Sequence, residues 1–165
     1  MKQVLLFAAM LLLSACGLRP LYEGGVSGAA GQVLGSVDVP AIEGKAGWLV
    51  RDALYARLGT GGKAGARYRL LVELDDKITG FGVRRDDSVT RERRTLRARY
   101  SLVDLADNQV ILDATAGSDV GIDVVSSEYA TVAAENTALE RLSQIIADQI
   151  VTRIAISAKS GPAAP

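Results

Sequence analysis

The segment TRERRTLRARYSLVD, residues 90–104, is the clearest indication of the fold of this chain. From Leu96 onward, every second side chain is apolar, and the positions between them are mostly arginine or serine. Successive side chains of a β-strand point to opposite faces of the sheet, so this alternation predicts a strand with one face in the core. The core face would comprise Leu96, Ala98, Tyr100 and Leu102. The other face would comprise Arg97, Arg99, Ser101 and Val103, so it carries positive charge.

Strand-like patterns lie on both sides of this stretch. Residues 68–75 alternate in the same way and predict a strand that ends before a turn at Gly80-Phe81-Gly82. A turn at residues 106–108 leads into a further strand over 109–120, which completes an antiparallel meander. An earlier strand is predicted over residues 33–39, because Pro40 cannot continue the ladder.

Two amphipathic helices are predicted from apolar residues that recur at three- or four-residue steps. Residues 46–58 form the first, with Val50, Leu54 and Leu58 on its apolar stripe. Trp48 is interpreted as a core anchor of this helix, although an exposed tryptophan would mark an interface. Residues 128–156 form the second helix after an N-cap at Ser126 or Ser127. Its apolar stripe comprises Leu139, Leu142, Ile146, Ile150 and Ile154.

The predicted order is therefore βαβββα, an α+β fold in which two helices pack on one face of a four-stranded, mostly antiparallel sheet. No helix remains to cover the opposite sheet face. That face is expected either to be solvated or to meet a partner. Its predicted members are Arg69, Leu71, Glu73, Arg97, Arg99 and Val103.

The first fifteen residues, MKQVLLFAAMLLLSA, are typical of an export signal. Lys2 precedes ten consecutive apolar residues, which is too short for a membrane span of about 20 residues. Leu13-Ser14-Ala15-Cys16 matches the bacterial lipobox, so Cys16 is the predicted lipid attachment site, and an ordinary secreted protein is the alternative. The absence of Asp after Cys16 favours sorting to the outer membrane. The predicted division is a signal peptide at 1–15, a lipidated flexible tether at 16–31, a folded domain at 32–156 and a disordered tail at 157–165.

The composition excludes many catalytic chemistries. The chain has no histidine, and Cys16 is its only cysteine, which rules out Ser-His-Asp and Cys-His catalysis, zinc fingers and internal disulfides. Nineteen basic side chains balance nineteen acidic ones, so attraction to nucleic acid is not expected. The paired carboxylates are interpreted as turn and strand-end residues, and no catalytic residue, metal or cofactor is predicted. They are Asp75-Asp76, Asp86-Asp87 and Asp104 with Asp107.

The densest charge cluster lies between Arg84 and Arg99, where seven arginines face three acidic residues. The planar guanidinium group can bond two oxygens of a phosphate or carboxylate, so the window is a candidate anion site. Arg91, Arg93, Arg97 and Arg99 share one parity and are expected to form a single surface row if no bulge intervenes. The alternative is a solvated strand whose charges discourage aggregation, with salt bridges to Asp86, Asp87 or Glu92.

Four segments carry a resemblance to a known family. They are Cys16-Gly17-Leu18-Arg19-Pro20-Leu21-Tyr22, residues 94–102, residues 124–130, and the last helix with Ala134, Ala138, Leu142, Ile146, Ala147 and Ile150. Together they resemble the LptE family of lipopolysaccharide-assembly lipoproteins, especially its alphaproteobacterial form. The resemblance implies a small, non-enzymatic lipoprotein inside the lumen of the outer-membrane β-barrel LptD. There it would act as plug and assembly partner and help deliver lipopolysaccharide to the cell surface.

Lipopolysaccharide carries phosphates and acidic sugars, which suit the arginine row. The resemblance further implies an outer-membrane location, with the protein lipid-anchored and facing the periplasm. An auxiliary lipoprotein of an ABC-type lipid transporter is the alternative, since it would have a similar anchor and a mixed domain. A lipid-anchored enzyme is a third and weaker hypothesis.

Overall fold

The computed structural model describes residues 27–58, 65–83 and 89–160. The predicted α+β fold is confirmed: a four-stranded sheet is covered on one face by helices. The predicted order βαβββα is found, preceded by one additional short helix. The elements in chain order are α1 (Ala29–Gly35), β1 (Val37–Asp38), α2 (Gly44–Leu58), β2 (Tyr68–Val83), β3 (Val89–Asp104), β4 (Gln109–Asp123) and α3 (Glu128–Ser160).

The sheet is dominated by a long hairpin of β2 and β3, which pair antiparallel from Tyr68↔Asp104 to Val83↔Val89. β4 continues the meander on the other side of β3, and β1 pairs parallel with the start of β2. The predicted turn at residues 80–82 is wrong, because all three residues lie within β2, and Gly80 and Phe81 pair with Glu92 and Arg91 of β3. Cross-strand pairing with β3 overrides the local turn preference of the glycines.

The predicted first strand over residues 33–39 is also wrong. Residues 29–35 form helix α1, and only Val37–Asp38 pairs as a strand. Ala30 and Leu34, one helical turn apart, are both buried in the core. The Ser36 hydroxyl donates to the carbonyls of Gln32 and Val33 at 2.9 Å, which satisfies carbonyls at the end of the helix. A short apolar run does not distinguish a strand from a helix by itself.

The core lies between the sheet and the helices α2 and α3. The predicted core face of β3 is confirmed: Leu96, Ala98, Tyr100 and Leu102 are all buried. The apolar stripes of both long helices are buried as predicted. Helix α3 ends at Ser160, so residues 157–160 are helical and do not belong to the predicted disordered tail. Residues 161–165 lie outside the described part, as does most of the predicted tether.

The prediction for Trp48 is wrong, because 64% of its surface is exposed. Helix α2 buries Gly47, Val50, Ala53, Leu54 and Leu58 instead. Gly47 approaches the Ile42 carbonyl so closely that an added Cβ would lie 2.5 Å from its oxygen. This contact fixes which side of α2 faces inward and leaves Trp48 on the solvent side. Within the described ranges, no helix is long and apolar enough to cross a membrane.

Candidate anion-binding surface

The open face of the sheet carries the arginine row. The registers of β2, β3 and β4 place odd-numbered residues on one face, and the only register shift between β3 and β4 lies at Leu102/Val103. The parity therefore holds from Arg91 to Arg99, and Arg91, Arg93, Arg97 and Arg99 are exposed on the same side. At about 3.4 Å per residue, the row extends over roughly 27 Å.

Three of these four arginines have a carboxylate partner on the neighbouring strand β4. Arg91 Nε lies 2.9 Å from Asp123 Oδ1, and Arg99 Nη2 lies 3.3 Å from Asp113 Oδ2. Arg93 Nε lies 3.6 Å from Asp119 Oδ2. The acidic partners expected from the sequence were Asp86, Asp87 and Glu92, and none of these three is the partner found for the arginines of the row. The cross-strand partners follow from the short turn between β3 and β4, which sets their register.

Arg97 differs from the other members of the row. Its cross-strand neighbours are Asp75 on β2 and Gly117 on β4. Asp75 accepts a hydrogen bond from Lys77 at 3.1 Å, and Gly117 has no side chain to offer. In the part of the chain that the structure describes, Arg97 has no ion pair or side-chain hydrogen bond. It is therefore an exposed guanidinium with all five donors available.

The neighbouring Arg94 belongs to the opposite face and is not part of the row. Its guanidinium is bidentate to Asp76, at 2.9 Å from Nε and 2.6 Å from Nη2, and Nη1 donates to the Glu135 carbonyl at 2.8 Å. Only 11% of its side chain is exposed. Arg94 therefore connects the sheet to helix α3. Two further arginines of the predicted window, Arg84 and Arg85, lie outside the described residues.

Apolar groups lie among the charges on the open face. The Arg93 guanidinium stacks over the Phe81 ring at 5.4 Å from its centroid. Leu71 is exposed beside Arg99, Ser101 and Asp113, and these residues line a shallow depression of about 230 Å³. The surface therefore offers apolar contact next to guanidinium groups, an arrangement that fits an amphipathic anion.

A second cavity, of about 190 Å³, lies at the other end of the sheet between α1 and the C-terminal turn of α3. Arg67 and Asp104 line it and form an ion pair at 3.1 Å. The Ala106 N–H donates to Asp104 and lowers its pKa, and the Arg67 guanidinium lowers it further. The hydrogen bond to Asp104 in turn raises the pKa of Arg67. Each charge satisfies the other, so this pair has a structural role.

The paired carboxylates of the described residues are taken up in local hydrogen bonds and ion pairs. Asp75 and Asp76 point to opposite faces, where they pair with Lys77 and Arg94. Asp107 accepts from the Gln109 N–H within the turn. No group of three or more potential metal ligands occurs in the ranges that the structure describes. Asp86, Asp87 and Cys16 lie outside those ranges.

The sequence matches the lipopolysaccharide-assembly family LptE over residues 34–154, which is more than half of the chain. The chain belongs to the LptE family. The match covers the sheet and its helix layer, including the whole arginine row. No curated protein matches the sequence closely enough to count as a relative.

Solved structures support the same fold for this LptE family member. A lipoprotein from Caulobacter crescentus, described as putative, is 22% identical with a TM-score of 0.67, and the match covers 81% of this chain and 100% of that one. A rare lipoprotein B from Shewanella oneidensis is 12% identical with a TM-score of 0.55, over 76% and 96% of the two chains. A lipoprotein B from Nitrosomonas europaea is 14% identical with a TM-score of 0.57, over 76% and 83%.

Proposed function

We propose that this LptE family member is a lipid-anchored outer-membrane lipoprotein that assists the LptD β-barrel in delivering lipopolysaccharide to the cell surface. The family match supports the role in lipopolysaccharide assembly. The exposed arginine row supports the proposed contact with the anionic part of lipopolysaccharide. The role is binding and assembly, and no catalytic step is included.

The proposed seat in the barrel lumen depends on the character of the open sheet face. Barrel interiors are polar, so a domain inside one needs a polar surface that can exchange water for lumen side chains. The open face meets this requirement, because it carries arginines 91, 93, 97 and 99 together with the β4 aspartates. Depletion of the protein should lower the amount of correctly assembled LptD and make the outer membrane permeable to bulky antibiotics. Normal barrel assembly with intact surface lipopolysaccharide would contradict the proposal.

Copurification with integral membrane proteins separates this role from that of an ABC-transporter accessory. The proposal requires an outer-membrane barrel to copurify with the protein after mild detergent extraction. Recovery of an inner-membrane permease in place of the barrel would favour the transporter hypothesis.

The proposed anchor at Cys16 is tested separately from the folded domain. Cys16→Ala should block processing and acylation and produce a larger precursor, because the lipobox thiol is lost. Mass spectrometry and membrane fractionation measure this change. Unchanged mass and unchanged membrane partitioning would contradict the anchor. Acyl chains contribute about 0.8 kcal/mol per buried CH₂, so their loss should release protein that the barrel does not hold.

The lipopolysaccharide contact is tested with two double variants of the mature protein, Arg91→Ala/Arg93→Ala and Arg97→Ala/Arg99→Ala. A charge-assisted hydrogen bond contributes about 1.5–3 kcal/mol, so removing two should weaken binding of purified lipopolysaccharide by tenfold or more. Arg141→Ala/Arg153→Ala is the matched control, because both residues are exposed on helix α3, away from the open face. Equal binding by all three variants would show that the row is only a solvated face.

A further inference from the structure

We propose that Asp113, Asp119 and Asp123 on β4 are internal counter-ions that an anionic ligand must displace, and that Arg97 binds the first anionic group. This inference rests on the proposed lipopolysaccharide contact and concerns the regulation of that same surface. It assigns different roles to four arginines that the sequence presents as equivalent.

The geometry of the ion pairs distinguishes exchangeable partners from structural ones. Arg91 and Arg99 each make one hydrogen bond to their aspartate, and Arg93 lies 3.6 Å from Asp119, beyond hydrogen-bond distance. In contrast, Arg94 and Arg57 are bidentate to Asp76 and Asp148. Bidentate guanidinium–carboxylate pairs are the stronger and more specific ones. The three arginine–aspartate pairs between β3 and β4 are therefore weakly held.

Exposure supports the same distinction. In the three arginine–aspartate pairs between β3 and β4, both partners are more than half exposed. Exposed pairs gain little energy, because water and salt screen them and both side chains lose freedom. A phosphate or carboxylate on a ligand can therefore replace the aspartate at a small cost. The guanidinium group keeps a charged partner throughout the exchange.

The position of Arg97 makes it the first contact. It is flanked by Arg93 and Arg99 in the row, and it has no counter-ion to displace in the described part of the chain. A ligand with one anionic group would use Arg97 alone. A ligand with several anionic groups would also displace the neighbouring aspartates, so the surface favours multiply charged amphipaths over single anions.

The first test measures binding of purified lipopolysaccharide to the mature protein carrying Asp113→Asn/Asp119→Asn/Asp123→Asn. Each released exposed pair is worth about 1.5- to 5-fold in affinity, so the triple variant should bind about 3- to 125-fold more tightly if the three effects are additive in free energy. The gain counts only in a variant with wild-type thermal stability, because a misfolded chain exposes apolar surface that can itself bind an amphipath. Unchanged or weaker binding by a variant with wild-type thermal stability would overturn the proposal.

The matched control is Glu43→Gln/Asp52→Asn/Glu140→Gln, which removes three exposed acidic groups from the helix side of the domain or its edge. It changes net charge by the same amount, and its affinity should stay within about twofold of wild type, since these groups touch no arginine of the row. A gain equal to that of the β4 variant would assign the effect to net charge and overturn the proposal.

The second test ranks single variants of the row. Arg97→Ala should cause the largest loss among the four arginines, because its donors carry no internal competitor. The loss caused by Arg93→Ala should grow about 1.5- to 5-fold when Asp119→Asn is also present. Equal losses at all four positions, or an Arg93→Ala effect that ignores Asp119, would overturn the proposal.

The binding surface and the counter-ion role can be contradicted separately. If the arginine double variants bind lipopolysaccharide as well as wild type, the binding surface is wrong and the counter-ion role falls with it. If those variants lose binding and the β4 variant shows no gain, the surface stands and only the counter-ion role is wrong.

Discussion

Arg93 and Arg94 are sequence neighbours in β3, and the sheet separates them into two environments. Arg94 lies under helix α3, is 11% exposed and makes three hydrogen bonds, two to Asp76 and one to the Glu135 carbonyl. Arg93 lies on the open face, is 58% exposed and has one carboxylate at 3.6 Å. The same side chain is a structural connector on one face and an available cation on the other.

The covered face of the sheet contributes to stability, whereas the open face is available for binding. On the covered face, a guanidinium group loses water and needs a full set of partners, so its removal is costly. On the open face, water replaces any lost partner, so charges can change there at little cost to the fold. Four measurements test this division, in order of decreasing expected effect on the free energy of unfolding.

Leu142→Ala should have the largest effect, because Leu142 is fully buried in the stripe of α3. The loss of transfer energy and the cavity left behind should lower the free energy of unfolding by about 4 kcal/mol. Leu71→Ala on the open face is the matched variant. Leu71 is 46% exposed, so a change of about 1 kcal/mol or less is expected. Urea unfolding compares them, and equal losses would show that the open face is covered.

Arg94→Ala should lower the free energy of unfolding by about 3 kcal/mol, because it leaves Asp76 and the Glu135 carbonyl without their partner in a largely buried place. Arg93→Ala should change it by less than about 1 kcal/mol. Urea unfolding measures both changes. Unfolding of the two variants at the same urea concentration would contradict the proposed difference between the covered and open faces.

Gly47→Ala should be destabilising by about 2 kcal/mol, since the new Cβ would meet the Ile42 carbonyl oxygen at 2.5 Å and force helix α2 to shift. Gly121→Ala lies on the open face, where no atom lies within 4 Å of the added Cβ. Alanine there should raise stability by about 0.5 kcal/mol by restricting the unfolded chain. Thermal unfolding of both variants measures the contrast, which a destabilised Gly121→Ala protein would contradict.

Protonation of Asp104 at low pH is expected to have the smallest effect on the free energy of unfolding. The folded pKa of Asp104 is lowered, so its contribution to stability is present above the unfolded pKa of about 3.9 and is lost as pH falls through the folded value. Wild-type protein should therefore lose stability between pH 5 and pH 2. Asp104→Asn should show a shallower decline, because that group no longer titrates. Parallel pH profiles for the two proteins would contradict this assignment.

The alternation in β3 and the stripes of α2 and α3 were predictable, because burial of one face imposes a period of two or 3.6 residues on the sequence. The shared side of Arg91, Arg93, Arg97 and Arg99 follows from the same parity. Helix α1 was missed, because its pair of buried residues, Ala30 and Leu34, is too short to reveal a helical period. Trp48 was misplaced, because the approach of Gly47 to Ile42 involves a segment outside the helical pattern.

The amino-acid sequence alone reveals the strand and helix periods, the charge of the window around β3 and the absence of histidine. These properties are local, and each can be recognised without knowing which elements are neighbours. The folded structure is needed to show that Arg94 supports the helix layer, that three arginines pair with aspartates on β4 and that Arg97 lies opposite Gly117. Those distinctions depend on cross-strand register and on which face α3 covers, and both arise from packing between residues far apart in the chain.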